Sequence, residues 1–289
     1  MRQASTQTPR PLQSAPPSVL PLADWPVAHR QGIIGVFTDI DDTLTTDGAI
    51  TPDALQALHD LKAAGLHVIS ITGRPVGWSE EFALTWPVDA IVAENGAVGL
   101  QNTNKIGLQL NESLREQLLK SYQTEAPQRA ENHARMQQVL ARIEREIPGA
   151  QRSSDSPGRE TDIAIDHSEF THLAPGRIEQ VVQLMRSEGM HATISSIHIN
   201  AWFGQHNKLQ GARWIVRQLW GRDLDAELHR WVYIGDSTND QLMFEAFTHS
   251  VGVANIARFV PQLSHLPRYV TQGERGAGFA QFSACLLDR

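Results

Sequence analysis

Residues 33 to 44 read Ile33-Ile34-Gly35-Val36-Phe37-Thr38-Asp39-Ile40-Asp41-Asp42-Thr43-Leu44. The apolar run from Ile33 to Phe37 has the length and β-branched content of a buried strand. It ends in three carboxylates, Asp39, Asp41 and Asp42. Mutual repulsion makes such a cluster costly at a strand end unless a cation or tight hydrogen bonds compensate it. Ligands of open α/β sheets bind just beyond the carboxyl ends of strands. An acidic loop that only solubilises the strand end is the alternative, and this stretch alone leaves both open.

Working outward, Asp47-Gly48 marks a turn, so Thr45 to Ile50 reads as a short hairpin or flap beside the carboxylates. Thr51-Pro52-Asp53 opens a helix with Leu55, Leu58 and Leu61 on one stripe and Gly65 as its stop. A second apolar run, Leu66 to Ile71, ends in Thr72-Gly73-Arg74-Pro75. A helix through Trp78 to Leu84 and a third strand, Ala90 to Ala93, follow. This β-α-β-α-β alternation predicts an α/β fold, a Rossmann-like parallel sheet with right-handed crossovers.

The rhythm changes after Glu94-Asn95-Gly96-Ala97. Residues 111 to 147 read as a long helical region, with Met136, Val139, Leu140 and Ile143 at helical spacing. Thr161 to Asp166 reads as a half-exposed strand. A helix from Pro175 to Glu188 and strands at 191–195 and 197–203 complete an α+β module. From Lys208 the α/β pattern returns, with a strand at Trp231 to Ile234 that breaks at Gly235-Asp236-Ser237-Thr238-Asn239-Asp240. The expected organisation is a Pro-rich, mobile extension over 1–31, a core over 32–97 and 201–289, and an inserted cap over 98–200. Trp25, with Leu20 and Leu22, is expected to pin the end of the extension onto the core.

Composition limits the function classes. The 289-residue chain is 41% hydrophobic, enough for a large core and a smaller module. Its formal net charge is -7 and no run of lysines and arginines stands out, so nucleic-acid binding is not indicated. Cys285 is the only cysteine, which rules out an internal disulfide framework and fits a reducing compartment. No segment approaches the ~18 apolar residues of a membrane span. The N-terminus lacks the apolar core of a secretory signal, so a cytoplasmic protein is expected. The histidines are scattered without zinc-ligand spacing.

Asp39, Asp41 and Asp42 follow the first strand, Thr72 the second, and Asp236, Asn239 and Asp240 a later one, while Lys208 begins the preceding helix. In a parallel sheet these ends share one edge. Carboxylates with one lysine suit a hard, oxygen-seeking cation and a phosphate. A carboxylate can also act as a nucleophile towards phosphorus.

Asp39-Ile40-Asp41-Asp42-Thr43-Leu44, Thr72-Gly73-Arg74, Lys208 and Gly235-Asp236-Ser237-Thr238-Asn239-Asp240 together resemble the four ordered motifs of the haloacid dehalogenase-like superfamily. Glu94-Asn95-Gly96-Ala97 and the insertion between the second and third motifs resemble its IIB subfamily. That group includes sucrose-phosphate and mannosyl-phosphoglycerate phosphatases and also phosphomannomutases. The resemblance covers about 33 to 282. It implies a C2B-type cap and a Mg²⁺-dependent phosphatase acting on a small phosphorylated metabolite, a sugar phosphate, as a monomer or homodimer.

It also implies roles. Asp39 would be the nucleophile and Asp41 the general acid and base. Thr72, Gly73 and Lys208 would bind phosphoryl oxygens. Asp39, the Asp41 carbonyl and Asp236 would hold Mg²⁺, supported by Asn239 and Asp240. Asp42, where many relatives carry glycine, is expected to take no part. Arg159 and Asn200 are candidate sugar readers, and Arg74 either touches substrate or braces its loop. The rivals are a phosphomutase, which protects the same intermediate from water, and a silent sugar-phosphate-binding protein.

Overall fold

The computed structural model describes residues 19–104 and 117–288. Its centre is a nine-stranded sheet in the order 20–21, 269–270, 249–252, 231–235, 35–38, 67–71, 90–93, 98–102 and 118–122. The strands run parallel except the last two, which add antiparallel at one edge. Alternation along the strands builds two core layers. Val36, Val68, Ile91 and Val232 join Leu58 and Leu61 of helix Pro52–Ala63 and Phe279 and Phe282 of helix Arg275–Leu287. Phe37, Ile69, Val92 and Tyr233 face the opposite way, against Ala212, Ile215 and Val216 of helix Lys208–Trp220. Strands covered on both faces are buried at every residue, as 35–38 and 231–235 are.

A four-stranded antiparallel sheet, ordered 191–194, 198–202, 163–166 and 151–152, forms the cap. Ile163, Ile165 and Ile199 pack under helices Ala126–Glu146 and Pro175–Ser187 through Met136, Leu140, Ile143 and Val181. The strand expected to be half-exposed is buried throughout, because its polar face lies against the core.

Two boundaries differ from the sequence reading. Val98–Asn102 and Leu118–Tyr122 continue the large sheet, so the second sheet and its helices begin only after residue 125. A strand at 118–122 also replaces the start of the long helix expected from 111, since pairing along Val98–Asn102 overrides local helical spacing. Residues 111–116 of that expected helix lie outside the described residues.

Within the expected mobile extension, residues 20–31 are ordered parts of the core. Leu20–Pro21 pairs parallel with Tyr269–Val270. The 1%-exposed Trp25 stacks on Tyr269 and Phe282 at centroid distances of 5.6 and 6.3 Å. Buried Arg30 donates to the carbonyls of Cys285 and Asp288, which ties the two chain regions together.

Candidate active site

The carboxyl edge of the large sheet gathers three of the motifs into one buried cluster. Asp39 leaves the end of strand Gly35–Thr38, and its N–H donates to the Ile234 carbonyl of the neighbouring strand at 2.9 Å. Lys208, the first residue of its helix, donates to Asp39 Oδ1 and to Asp240 Oδ1, both at 2.7 Å. Asp240 is fully engaged. Its Oδ1 also accepts from Tyr233 Oη, and its Oδ2 accepts the main-chain N–H groups of Asp236 and Ser237 at 2.9 and 3.0 Å. This bonding shapes the loop after strand Trp231–Gly235. Gly235 is required there, because a Cβ would collide with the Asp240 carboxylate.

Ligand oxygens of Asp39, Asp236 and Asp240 lie within 4.8 Å of one another. Asp236 is fully buried. Its Oδ2 accepts from Asn255 Nδ2 at 3.0 Å and from Arg258 at 3.3 Å, whereas its Oδ1 has no hydrogen-bond partner. A buried carboxylate oxygen without a donor, beside two more carboxylates, fits a divalent cation. Burial pushes the Asp39 carboxyl up to about 7; Lys208 opposes this, while Asp240 and Asp41 add to it. Burial, then Asp39 and Asp240, drive Asp236 well above the usual carboxylate range. Burial also works against the Lys208 ammonium, but Asp240 and Asp39 outweigh it and raise the lysine above its ordinary value.

Asp41 sits beside this cluster and has different partners. Arg74 Nε lies 2.9 and 3.1 Å from its two oxygens. Burial raises the Asp41 carboxyl and Arg74 pulls it back, with a net upward shift. Asp42 occupies the left-handed region at φ 55° and pairs with Arg258 at 2.7 Å and Arg275 at 3.2 Å. It braces the turn. Thr72 is fully buried and its Oγ1 accepts the Arg74 N–H at 3.0 Å. Asn239 Oδ1 accepts from Ser237 Oγ at 2.9 Å, so Asn239 reaches the site edge while holding its own loop.

Asp39, Asp41, Gly73, Arg74, Asn200 and Asn239 line a small pocket roofed by Ser195 to His198 of the cap. A larger cavity, of about 730 Å³, shares Asp41, Arg74, Ser196 and Ile197 with it and extends to Trp78 and Phe170.

The cap residues read as sugar contacts have protein partners. Arg159 donates to the Gly73 carbonyl at 3.1 Å, to Asp162 at 2.7 Å and to both oxygens of Asp155. Asn200 donates to the Gly73 carbonyl at 3.3 Å and to Asp162 at 3.2 Å. Both therefore clamp the Thr72–Arg74 loop to the cap, and Asn200 also reaches the pocket wall. Burial pushes Asp162 up to about 7, Arg159 opposes that and Glu94 adds to it. Arg74 spans the same seam, from Asp41 to Glu169 at 2.7 Å and Asp155 at 3.3 Å, with its guanidinium 5.0 Å from the Trp78 ring.

Glu94 fastens the seam, a role the sequence reading did not give it. It is fully buried at φ 48°, and its carboxylate accepts the N–H groups of Val76, Glu160 and Thr161 and the Thr161 hydroxyl. The available signal was a carboxylate placed at a strand end before Asn95-Gly96. Its partners on the cap lie 66 and 67 residues away, beyond the reach of local patterns.

Residues 36–156 match the family model of haloacid dehalogenase-like hydrolases. A Streptococcus pyogenes protein that carries a provisional phosphatase name is 24% identical over 265 residues, 85% of this chain and 95% of its own length. A Bacillus subtilis protein, YxeH, with the same provisional description is 38% identical over 74 residues, 24% of this chain and 27% of its own. Among solved structures, a Thermoplasma acidophilum protein superposes with a TM-score of 0.66 at 16% identity, covering 88% of this chain and 98% of its own. The Synechocystis sucrose-phosphatase, solved with sucrose and phosphate, superposes with a TM-score of 0.59 at 16% identity over 88% and 97%. The structural likenesses speak for the fold. The family match covers residues 36–156, the first strand, the Thr72–Arg74 loop and the start of the second sheet, and makes this part of the chain similar to haloacid dehalogenase-like hydrolases. The relative that aligns over most of the chain is the one named as a phosphatase.

Proposed function

We propose that this phosphatase hydrolyses a small phosphate monoester, a sugar phosphate, through an aspartyl-phosphate on Asp39. The observation that carries the reading is the Lys208 ammonium, 2.7 Å from both Asp39 and Asp240, which joins three motifs in one buried cluster. Asp39, Asp236 and the Asp41 carbonyl would hold Mg²⁺, with Asn239 at the edge and Asp240 fixing the loop and Lys208. Bound there, the ion would neutralise charge on the phosphoryl group and on the clustered carboxylates.

Asp39 attacks phosphorus in line while the bond to the leaving oxygen breaks, and Asp41 gives that oxygen its proton. Water then attacks the aspartyl-phosphate, Asp41 takes its proton, and Asp39 is regenerated. Lys208 and the Thr72 hydroxyl steady phosphoryl oxygens, and Gly73 keeps the loop free of side-chain bulk. Arg74 holds Asp41 in place. Its upward-shifted carboxyl suits a group that must donate a proton near neutrality. The cap roof over Asp39 and Asp41 favours small substrates. The Synechocystis neighbour, a sucrose-phosphatase solved with sucrose and phosphate, supports the sugar class.

The test is a screen of purified protein against sugar phosphates with and without Mg²⁺, beside Asp39→Asn. Phosphate release that needs Mg²⁺ and disappears in the variant is expected. No release from any of them, or release unaffected by Asp39→Asn, sinks the reading.

A further inference from the structure

The cap carries a preorganised loop that the phosphoryl chemistry does not use. Asp166 ends strand Ile163–Asp166 and is 3% exposed. Its Oδ1 accepts the N–H groups of Ser168 and Glu169 at 3.0 and 2.8 Å, and its Oδ2 those of Phe170 and Thr171 at 2.9 and 3.0 Å. Four successive amides on one buried carboxyl group fix the backbone of this loop. Ser168 Oγ then donates to the Ser196 carbonyl at 2.7 Å, which ties the loop to the roof over Asp39. Glu169 is drawn inward, to Arg74 at 2.7 Å and His198 at 2.8 Å.

Phe170 is the exception on this loop. Its backbone is locked, yet the residue is 76% exposed on the wall of the 730 Å³ cavity, which Trp78, His172 and Arg258 also line. A large ring held on a fixed backbone at a cavity wall offers a contact face whose ordering cost is largely met before a ligand arrives. A sugar suits a wall of this kind: its C–H face covers an aromatic ring, while its hydroxyls find the polar neighbours.

We propose that Phe170, set by the Asp166-anchored loop, is a specificity-determining residue that stacks on the sugar ring of the leaving group. This rests on the sugar-phosphate reading above. Phe170 and Asp166 take no part in bond making; Phe170 touches the substrate, and Asp166 is a positioning residue acting through it.

The experiment compares wild type, Phe170→Ala, Phe170→Tyr and Asp166→Asn on a hexose phosphate turned over by wild type and on glycerol phosphate, which has no ring. Phe170→Ala is expected to raise KM for the hexose phosphate about tenfold with kcat nearly unchanged. Glycerol phosphate kinetics stay within about twofold of wild type, and Phe170→Tyr restores the hexose KM. Asp166→Asn, checked for folding by its melting transition, moves KM in the same direction as Phe170→Ala. Equal effects of Phe170→Ala on both substrates, or no effect on either, overturn the inference. Calorimetric binding of a panel of hexose phosphates, chosen without regard to turnover, to Asp39→Asn with and without Phe170→Ala separates this from the parent reading. Binding weakened by Phe170→Ala without turnover in wild type would end the hydrolase reading and keep the stacking role. Binding indifferent to Phe170, or no binding, ends the stacking role.

Discussion

The floor of the site and the seam above it are both buried and highly charged, yet their charges are balanced differently. On the floor, Asp39 and Asp240 share one buried lysine, and the cation that reaches Asp236 is Arg258, from the surface. In the seam, Asp41, Asp155, Asp162 and Glu169 meet two buried arginines, Arg74 and Arg159, in short contacts, and Glu94 is met by amides. Both regions hold more carboxylates than cations, but only the floor leaves a buried carboxylate oxygen, Asp236 Oδ1, without a donor, so the floor is built for something to bind. The satisfied seam is built to hold two bodies together. Carboxylates alone do not mark a site; carboxylates short of partners do.

Four experiments can break or sharpen this contrast. Asp39→Asn is expected to lower turnover by about 10⁴-fold or more, while the metal-free protein melts no earlier than wild type because a crowded buried anion is gone. Early melting would mean that the floor is structural like the seam. Glu94→Ala should do the reverse. It strands three buried amides and costs about 3 kcal/mol in denaturant unfolding, whatever the metal content.

The third prediction concerns His206, between strand His198–Trp202 and helix Lys208–Trp220. Burial, with His191 adding to it, pushes His206 down to about 4. The unfolded histidine binds its proton at higher pH than the folded one. Its contribution is therefore fully present above about pH 6.5 and is lost as pH falls towards 4, by about 3 kcal/mol. The difference in unfolding free energy between wild type and His206→Gln across that window measures it. A constant difference would refute it. The smallest effect is expected from Gly77→Ala, whose Cβ would lie 2.9 Å from Gly158 Cα on the cap. It should misplace the cap and reduce kcat/KM about tenfold with little loss of stability. Unchanged kinetics would show that the seam tolerates slack.

Much of the floor was legible in the sequence because each motif is a local event, a buried strand followed by polar residues. Parallel topology then brings distant strand ends to one edge, and Asp39, Lys208, Asp236 and Asp240 meet there. The seam was far less legible. Arg159 and Asn200 were visible as polar residues near the cap strands, but their partner, the Gly73 carbonyl, is a backbone atom 86 and 127 residues away. The strand Leu118–Tyr122 was hidden for a related reason: its identity depends on the edge it pairs with. Asp166 gave no sign either, since a carboxylate that gathers its own downstream amides looks like any polar strand end.

The strap at 20–31 has a consequence for how the protein is made. The large sheet needs strands from both sides of the cap, and its edge strand Leu20–Pro21 pairs with Tyr269–Val270. Arg30 must wait for the carbonyls of Cys285 and Asp288. The cap, continuous from helix Ala126–Glu146 to strand His198–Trp202, can finish folding while the ribosome is still adding the second half of the core. The large sheet therefore cannot close until the chain beyond the cap has been made.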